Sequence, residues 1–171
     1  MRRIIVTGIL LIINFVLQST LLNLIEIRGV VPNTAIIITV SFALLRGSAT
    51  GSIVGFFLGL LHDVLFGPSV CLYALLGMLI GYFCGKFNSN FYRENYFLPM
   101  LLSVISLIAY DTVIYITHMF MSGNLMYLYC LFNIILPEAV YTAVFVVPVY
   151  RIVFGINEQL EAKEHRSRRL F

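Results

Sequence analysis

The chain has 171 residues and a formal net charge of +3, with 60% hydrophobic and only 11% charged residues, where ordinary soluble domains carry about 45–50% and about 25%. That balance excludes a soluble globular enzyme and points to an integral membrane protein. A crossing helix needs about 20 apolar residues, so several crossings leave no room for a soluble catalytic domain, and neither a cofactor nor a nucleic-acid partner is expected.

The first apolar segment, residues 4–25, is too long for a signal-peptide core and lacks a small-residue cleavage site, so it reads as a permanent span. Thr7, Asn14 and Gln18 share one of its faces, and amides so placed bond across helices as packing glue. A second, short span is expected at 30–45 and a third at 48–66. Only Arg46-Gly47-Ser48 separates them, so they form a tight helical hairpin. Gly67-Pro68 marks the next turn, because proline cannot continue a helix and disfavours helical geometry in the residue before it. Spans at 69–86, 97–120 and 128–150 follow, with polar loops at Asn88–Tyr96 and at Ser122-Gly123-Asn124. The fold class is therefore all-α, a polytopic membrane protein with six transmembrane helices. Residues 1–156 make the transmembrane domain and 157–171 a tail that is mixed-charge and then basic. Such a tail serves either as a topology anchor alone or as a binder of anionic lipid at about 1 kcal/mol per charge.

Lysine and arginine set the orientation. With both termini cytoplasmic, Arg2, Arg3, Arg46, Lys86, Arg93, Arg151, Lys163, Arg166, Arg168 and Arg169 lie inside and Arg28 alone lies outside, a strong positive-inside bias. Removing one span would put the C-terminal cluster on the wrong side. Cys71, Cys84 and Cys130 lie in or beside apolar segments without metal-ligand spacing, and read as small buried hydrophobes.

Glycines recur every four residues at Gly47, Gly51, Gly55 and Gly59, and again at Gly77, Gly81 and Gly85. In water each interior glycine costs a helix about 1 kcal/mol relative to alanine. In lipid, helices associate by close van der Waals contact, and small residues at this spacing let two backbones approach. The stripes either pack internal helices or leave a groove for another protein's single span.

Ionisable residues within spans usually face the bundle interior, a cavity or a partner. At about 1.5 Å per residue, Asp63 lies about 24 Å along from Gly47, and Asp111 lies about 21 Å along from Phe97. Tyr115 and His118 share the face of Asp111 at the i+4 and i+7 positions. Glu138 falls near the midplane of the last span. Asp63 and the Asp111-Tyr115-His118 face are expected to border one outward-opening polar cavity or partner groove, unless each acid is bonded to a neighbouring helix. Pro137 frees the carbonyl of Asn133 one turn back; the resulting kink either opens a pocket or is absorbed in packing.

Several residues together resemble the rod shape-determining MreD family: Gln18-Ser19, Gly29 with Pro32-Asn33, Arg46-Gly47, Gly51, Gly55-Phe56, Gly59-Leu60 with Asp63, Leu72-Tyr73-Ala74-Leu75 and Gly81-Tyr82. The resemblance covers essentially the whole chain. Where the family commonly has glycine before the Leu72-Tyr73 segment, this chain has Cys71, which argues against close backbone approach there. The resemblance implies a non-enzymatic subunit of the bacterial cell-elongation machinery in the inner membrane. It would bind the bitopic protein MreC and, with the MreB filament and the synthase RodA with its transpeptidase partner, guide lateral peptidoglycan synthesis and maintain cell shape. It also implies a six-helix fold similar to the substrate-binding subunit of energy-coupling-factor transporters.

Two other functions compete. A six-span chain with an outer polar pocket suits a vitamin-binding subunit of such a transporter, although few outer-loop residues are available to form a ligand lid. Two aspartates on different helices also suit an intramembrane peptidase, since a carboxylate pair can share a proton and activate water. Against it, Asp111 is followed by Thr112-Val113, without the asparagines and glycines that surround the aspartates of lipoprotein signal peptidases.

Overall fold

A computed structural model describes the backbone of residues 2–24, 30–66, 71–90, 96–122 and 127–168, and the side chains of 5–20, 30–64, 71–88, 96–117, 119 and 129–160. The described helices are α1 (Arg2–Leu24), α2 (Thr34–Arg46), α3 (Ser48–Phe66), α4 (Leu72–Gly85), α5 (Phe97–Ser122), α6 (Tyr127–Cys130) and α7 (Leu136–Arg168). A 3₁₀ turn, Lys86–Asn90, extends α4, and a π turn, Leu131–Ile135, joins α6 to α7 without a break. Six helical rods result, and the third predicted span, 48–66, coincides with α3. The expected turns at Gly67-Pro68 and Gly123-Asn124 lie outside the described residues.

The short second helix is the axis of the bundle. Every residue of α2 from Thr34 to Leu45 is buried, and α2 touches α1, α3, α4, α5 and α7. One side of it packs Ile38, Phe42 and Leu45 with Leu11, Val54, Leu58, Val146 and Tyr150. The other packs Ile36, Val40 and Leu44 with Cys84, Leu107, Tyr110 and Ala139. A 13-residue helix rises only about 20 Å at 1.5 Å per residue, less than the roughly 30 Å hydrocarbon core. It is tolerated because protein, not lipid, surrounds it.

A helix enclosed in this way must satisfy its end groups from other chain segments. At the N-terminus the Asn33 side chain accepts from the Ile36 amide at 3.2 Å, and the Gln18 side chain of α1 accepts from the Ala35 amide at 3.2 Å and the Thr34 hydroxyl at 3.0 Å. The Asn33 amide donates to the Thr142 hydroxyl of α7 at 3.1 Å. At the C-terminus Asn88 donates to the Leu44 carbonyl. Arg46 donates to Asn157 of α7 at 2.6 Å and to Thr7 of α1 at 3.2 Å, with its guanidinium 5.0 Å from the Phe42 ring. The face predicted to hold α1 by polar bonds therefore does so through Thr7 and Gln18.

The outer surface is apolar. Ile5 and Ile12 on α1, Ile53 and Phe57 on α3, Leu75 and Phe83 on α4, Leu101 and Ile105 on α5, and Val140 and Val144 on α7 are all exposed. A soluble monomer rarely shows contiguous apolar patches of this extent. Two helical stretches, Phe97–Thr117 and Leu131–Leu160, are long and apolar enough to cross a membrane, and shorter apolar helices run over Ile5–Thr20, Thr34–Arg46 and Ser48–Val64. The last helix departs most from its expected bounds. It continues past residue 150, and past the expected tail boundary at 156, to Arg168, through residues such as Glu158, Gln159, Glu161 and Lys163 that favour helix. Buried Asn157, bound to Arg46, ties this extension to the bundle.

Candidate functional site

The two glycine stripes face each other. Between α2 and α3 the chain reverses on one residue, Gly47, whose φ of 87° and ψ of 177° lie in a region essentially reserved for glycine. From there α3 and α4 run antiparallel. Gly51 lies against the Gly81 carbonyl, Gly55 against Gly77, Gly59 against Tyr73 and Ala74, and Gly85 against Gly47 and Ser48. A methyl group added at Gly51, Gly55, Gly59, Gly77, Gly81 or Gly85 would fall closer than 3.0 Å to these backbone atoms. The same ridge also receives α2, since Gly51 meets Ala43 and Gly55 meets Thr39. With both faces of the seam filled by this chain, no space is left in it for another protein's helix.

Asp63 closes the far end of the seam. Its carboxyl oxygens accept from the Tyr73 amide at 3.2 Å and the Ala74 amide at 2.9 Å, so an α3 side chain satisfies the first free N–H groups of α4. Cys71 enters α4 with φ 72° and ψ 3°, and it is exposed. A glycine at that position would serve backbone conformation, not close approach, and the expectation of a packed Cys71 is corrected. Cys84 is buried, with its sulfur 3.3 Å from the Ser106 hydroxyl of α5.

The remaining acids converge between α4, α5 and α7. Asp111 is buried, and its Oδ2 has no hydrogen-bond partner. Its carboxyl interacts electrostatically with that of half-buried Glu138. Tyr115 lies within electrostatic reach of Glu138, Asp111 and Tyr73. Tyr73 in turn feels both Asp63 and Asp111, and its ring packs 6.0 Å from that of Tyr110. Asp63, Asp111, Tyr115 and Glu138 thus belong to one polar neighbourhood, with Tyr73 and Tyr110 between them. Asp63 itself is committed to α4. The side chain of His118 lies outside the described residues. His62 packs edge-on to Phe15 of α1, with ring centroids 6.2 Å apart, and 6.3 Å from Tyr73.

Sequence reasoning overlooked Tyr73 and Tyr110 in this cluster, although each adjoins a residue singled out: Tyr73 within the Leu72-Tyr73 motif, Tyr110 before Asp111. It also took Arg46 as a topology charge and a turn residue, whereas the side chain is pinned between α1 and α7. At Pro137 the lost amide is accommodated by the preceding π turn, where the Leu136 amide donates to the Leu131 carbonyl and Asn133 bonds the Tyr129 carbonyl at 3.0 Å. A shallow groove of about 470 Å³ lies beside it, lined by Phe132, Pro137, Val140 and Tyr141 among others.

The first helix stands apart from the others, packing chiefly on α2 and α3. One groove of about 600 Å³ separates its Gly8 and Ile12 from Ile53 and Phe57 of α3. A second, of about 470 Å³, separates its Ile9, Ile13 and Asn14 from Ile152 and Ile156 of α7. Both are almost wholly apolar in lining.

The residues that carry the resemblance now have physical roles: Gln18 and Asn33 cap the enclosed α2, Gly47 makes the reversal, the glycines seat α4, and Asp63 caps it. No curated protein and no solved structure matches the chain. Residues 1–158 match the family described as rod shape-determining protein MreD, and the chain accordingly belongs to that family of shape-determining membrane proteins.

Proposed function

We propose that this chain is a non-enzymatic scaffold of the bacterial cell-elongation complex. It crosses the inner membrane six times with both termini in the cytoplasm, binds the bitopic protein MreC and helps to position lateral peptidoglycan synthesis. Family membership supports a role in rod shape. The observation that carries the scaffold reading is how the intramembrane polar groups are used. Gln18, Asn33, Arg46, Asp63 and Asn157 are bonded from helix to helix, which fixes the bundle's shape, while open grooves remain along α1. A scaffold needs both a rigid body and an unoccupied face. The bias of Lys and Arg supports the orientation and places basic segments where the MreB filament and anionic lipid would meet them. RodA and its transpeptidase partner would join through the membrane.

Affinity purification of the full chain from native membranes into nanodiscs tests this reading. MreC is expected in comparable molar amount. Recovery of an ATPase module or a tightly held vitamin in place of MreC would favour the transporter alternative and refute the scaffold.

A further inference from the structure

We propose that the N-terminal half of α1 is a hinged strap: it swings about the C-terminal half of the same helix and closes onto α3 at Gly8, covering the exposed Ile53 and Phe57. The inference concerns the chain alone and needs no partner. The two halves of α1 are held unequally. In the C-terminal half, Phe15 packs edge-on to His62 of α3, with ring centroids 6.2 Å apart, and the Gln18 side chain accepts from both the Thr34 hydroxyl and the Ala35 amide. In the N-terminal half, among the described residues, one hydrogen bond serves as the polar tie, from the Arg46 guanidinium to the Thr7 hydroxyl at 3.2 Å. That half also has open space on both flanks, about 600 Å³ toward α3 and about 470 Å³ toward α7.

The residues on each flank decide the direction of the swing. Toward α7, Ile9 and Ile13 stand opposite Ile152 and Ile156, and branched side chains on both walls keep the helix axes apart. Toward α3, α1 presents Gly8, where an added methyl group meets nothing within 4 Å. A small residue in a membrane helix lets two backbones approach. The six glycines of the α3–α4 seam are used in that way, each within 3.0 Å of a neighbouring segment once a methyl is added, whereas Gly8 faces open space. Hydrophobicity does not resist closure, because lipid tails and the α3 face are equally apolar. Closure replaces loose acyl contacts with fixed helix contacts, in the manner of a hinge. Ile5 lies about 20 Å from Gln18 along the helix, so closing the groove by half of a packed-helix spacing of about 8–10 Å displaces Ile5 by about 4–5 Å. The long Arg46 side chain can follow a displacement of that size, and the pivot hardly moves.

Spin-label distances on the full chain in nanodiscs test the strap, with Cys71, Cys84 and Cys130 replaced by alanine. One pair of labels reports the moving end, Ile5→Cys with Phe83→Cys, and a second the pivot, Leu17→Cys with Leu75→Cys; all four positions are exposed. The expected result is two populations about 4–5 Å apart for the first pair and a single narrow one for the second. Gly8→Leu, whose side chain enters the open groove, is expected to leave only the longer distance in the first pair, and Gly155→Leu on α7 to change nothing. A distribution for the first pair that Gly8→Leu leaves unaltered overturns closure at Gly8. Equal spread in both pairs overturns the hinge. A second measurement needs no cysteine replacement: a photo-crosslinking residue at Ile12, on the α3 groove, is expected to yield adducts with α3 peptides that Gly8→Leu reduces severalfold. An undiminished yield overturns closure as well.

Discussion

Replacing Gly55 with alanine tests the glycine seam most directly. Alanine favours a helix over glycine by about 1 kcal/mol, so propensity alone predicts a gain. The structure predicts the opposite. The new methyl would sit 2.5 Å from the Gly77 carbonyl carbon and 2.8 Å from the Thr39 methyl. The first obstacle is backbone and cannot rotate away, so α3 and α4 must separate. Overpacking of this kind costs about 1–3 kcal/mol, and a gap of about 0.5–1 Å along a helix pair forfeits a quarter to a half of each contact's dispersion energy. Against the propensity gain, a net loss of about 1–2 kcal/mol is expected, or about 2–8 °C in melting temperature for a chain of this size. Gly8 and Gly155 provide the control, because a methyl group at either meets nothing within 4 Å. Thermal unfolding in detergent, followed by loss of the monodisperse size-exclusion peak, should place Gly55→Ala below wild type and Gly8→Ala at or above it. Equal stability of Gly55→Ala and Gly8→Ala would refute the face-to-face seam.

Three further substitutions address other parts of the framework. Gly47→Ala forces a side chain into the φ 87°, ψ 177° conformation of the reversal and should cost about 1–3 kcal/mol, read in the same melting assay, although no neighbouring atom obstructs the added methyl. Asp63→Ala strips both acceptors from the start of α4 and should lower stability by about 2 kcal/mol, within the range for loss of a helix cap. Asp63→Asn, which retains one acceptor oxygen, should lose about half as much; hydrogen exchange at the Tyr73 and Ala74 amides would report it locally. Cys71→Gly should stabilise. A left-handed non-glycine residue costs about 1–2 kcal/mol, and the added freedom of glycine in the unfolded chain takes back about 0.5–1 kcal/mol. A higher melting temperature is therefore expected, and a lower one would mean that the Cys71 side chain has a packing role not evident from its exposure.

Much of this architecture is legible in the residues because its causes are local. Composition alone identifies the solvent as lipid. The bounds of α3, the tight hairpin at Arg46-Gly47-Ser48, which the structure narrows to Gly47, and the disturbance ahead of Pro137 follow from where backbone freedom and missing amide groups occur in the chain. Gln18 as a cross-helix bond on α1 was likewise readable, because an amide in an apolar run must find a partner. The use made of Asp63 was not. Its depth was calculable, but whether it faced a cavity or an adjoining helix depended on the position of α4, which is set by the glycine contacts.

Composition and residue spacing are enough to give the class of protein, its helical segments and the places where those helices can touch. Which surfaces do touch is settled by packing: the two glycine stripes close on each other, α2 is enclosed while apolar α1 stands half free, and the Asn14 nitrogen is buried without a hydrogen-bond partner. The physical reason is that lipid tails are as apolar as a protein core, so hydrophobicity cannot distinguish a buried helix face from one that meets the membrane. That choice falls to backbone approach and hydrogen-bond pairing between segments distant in the chain.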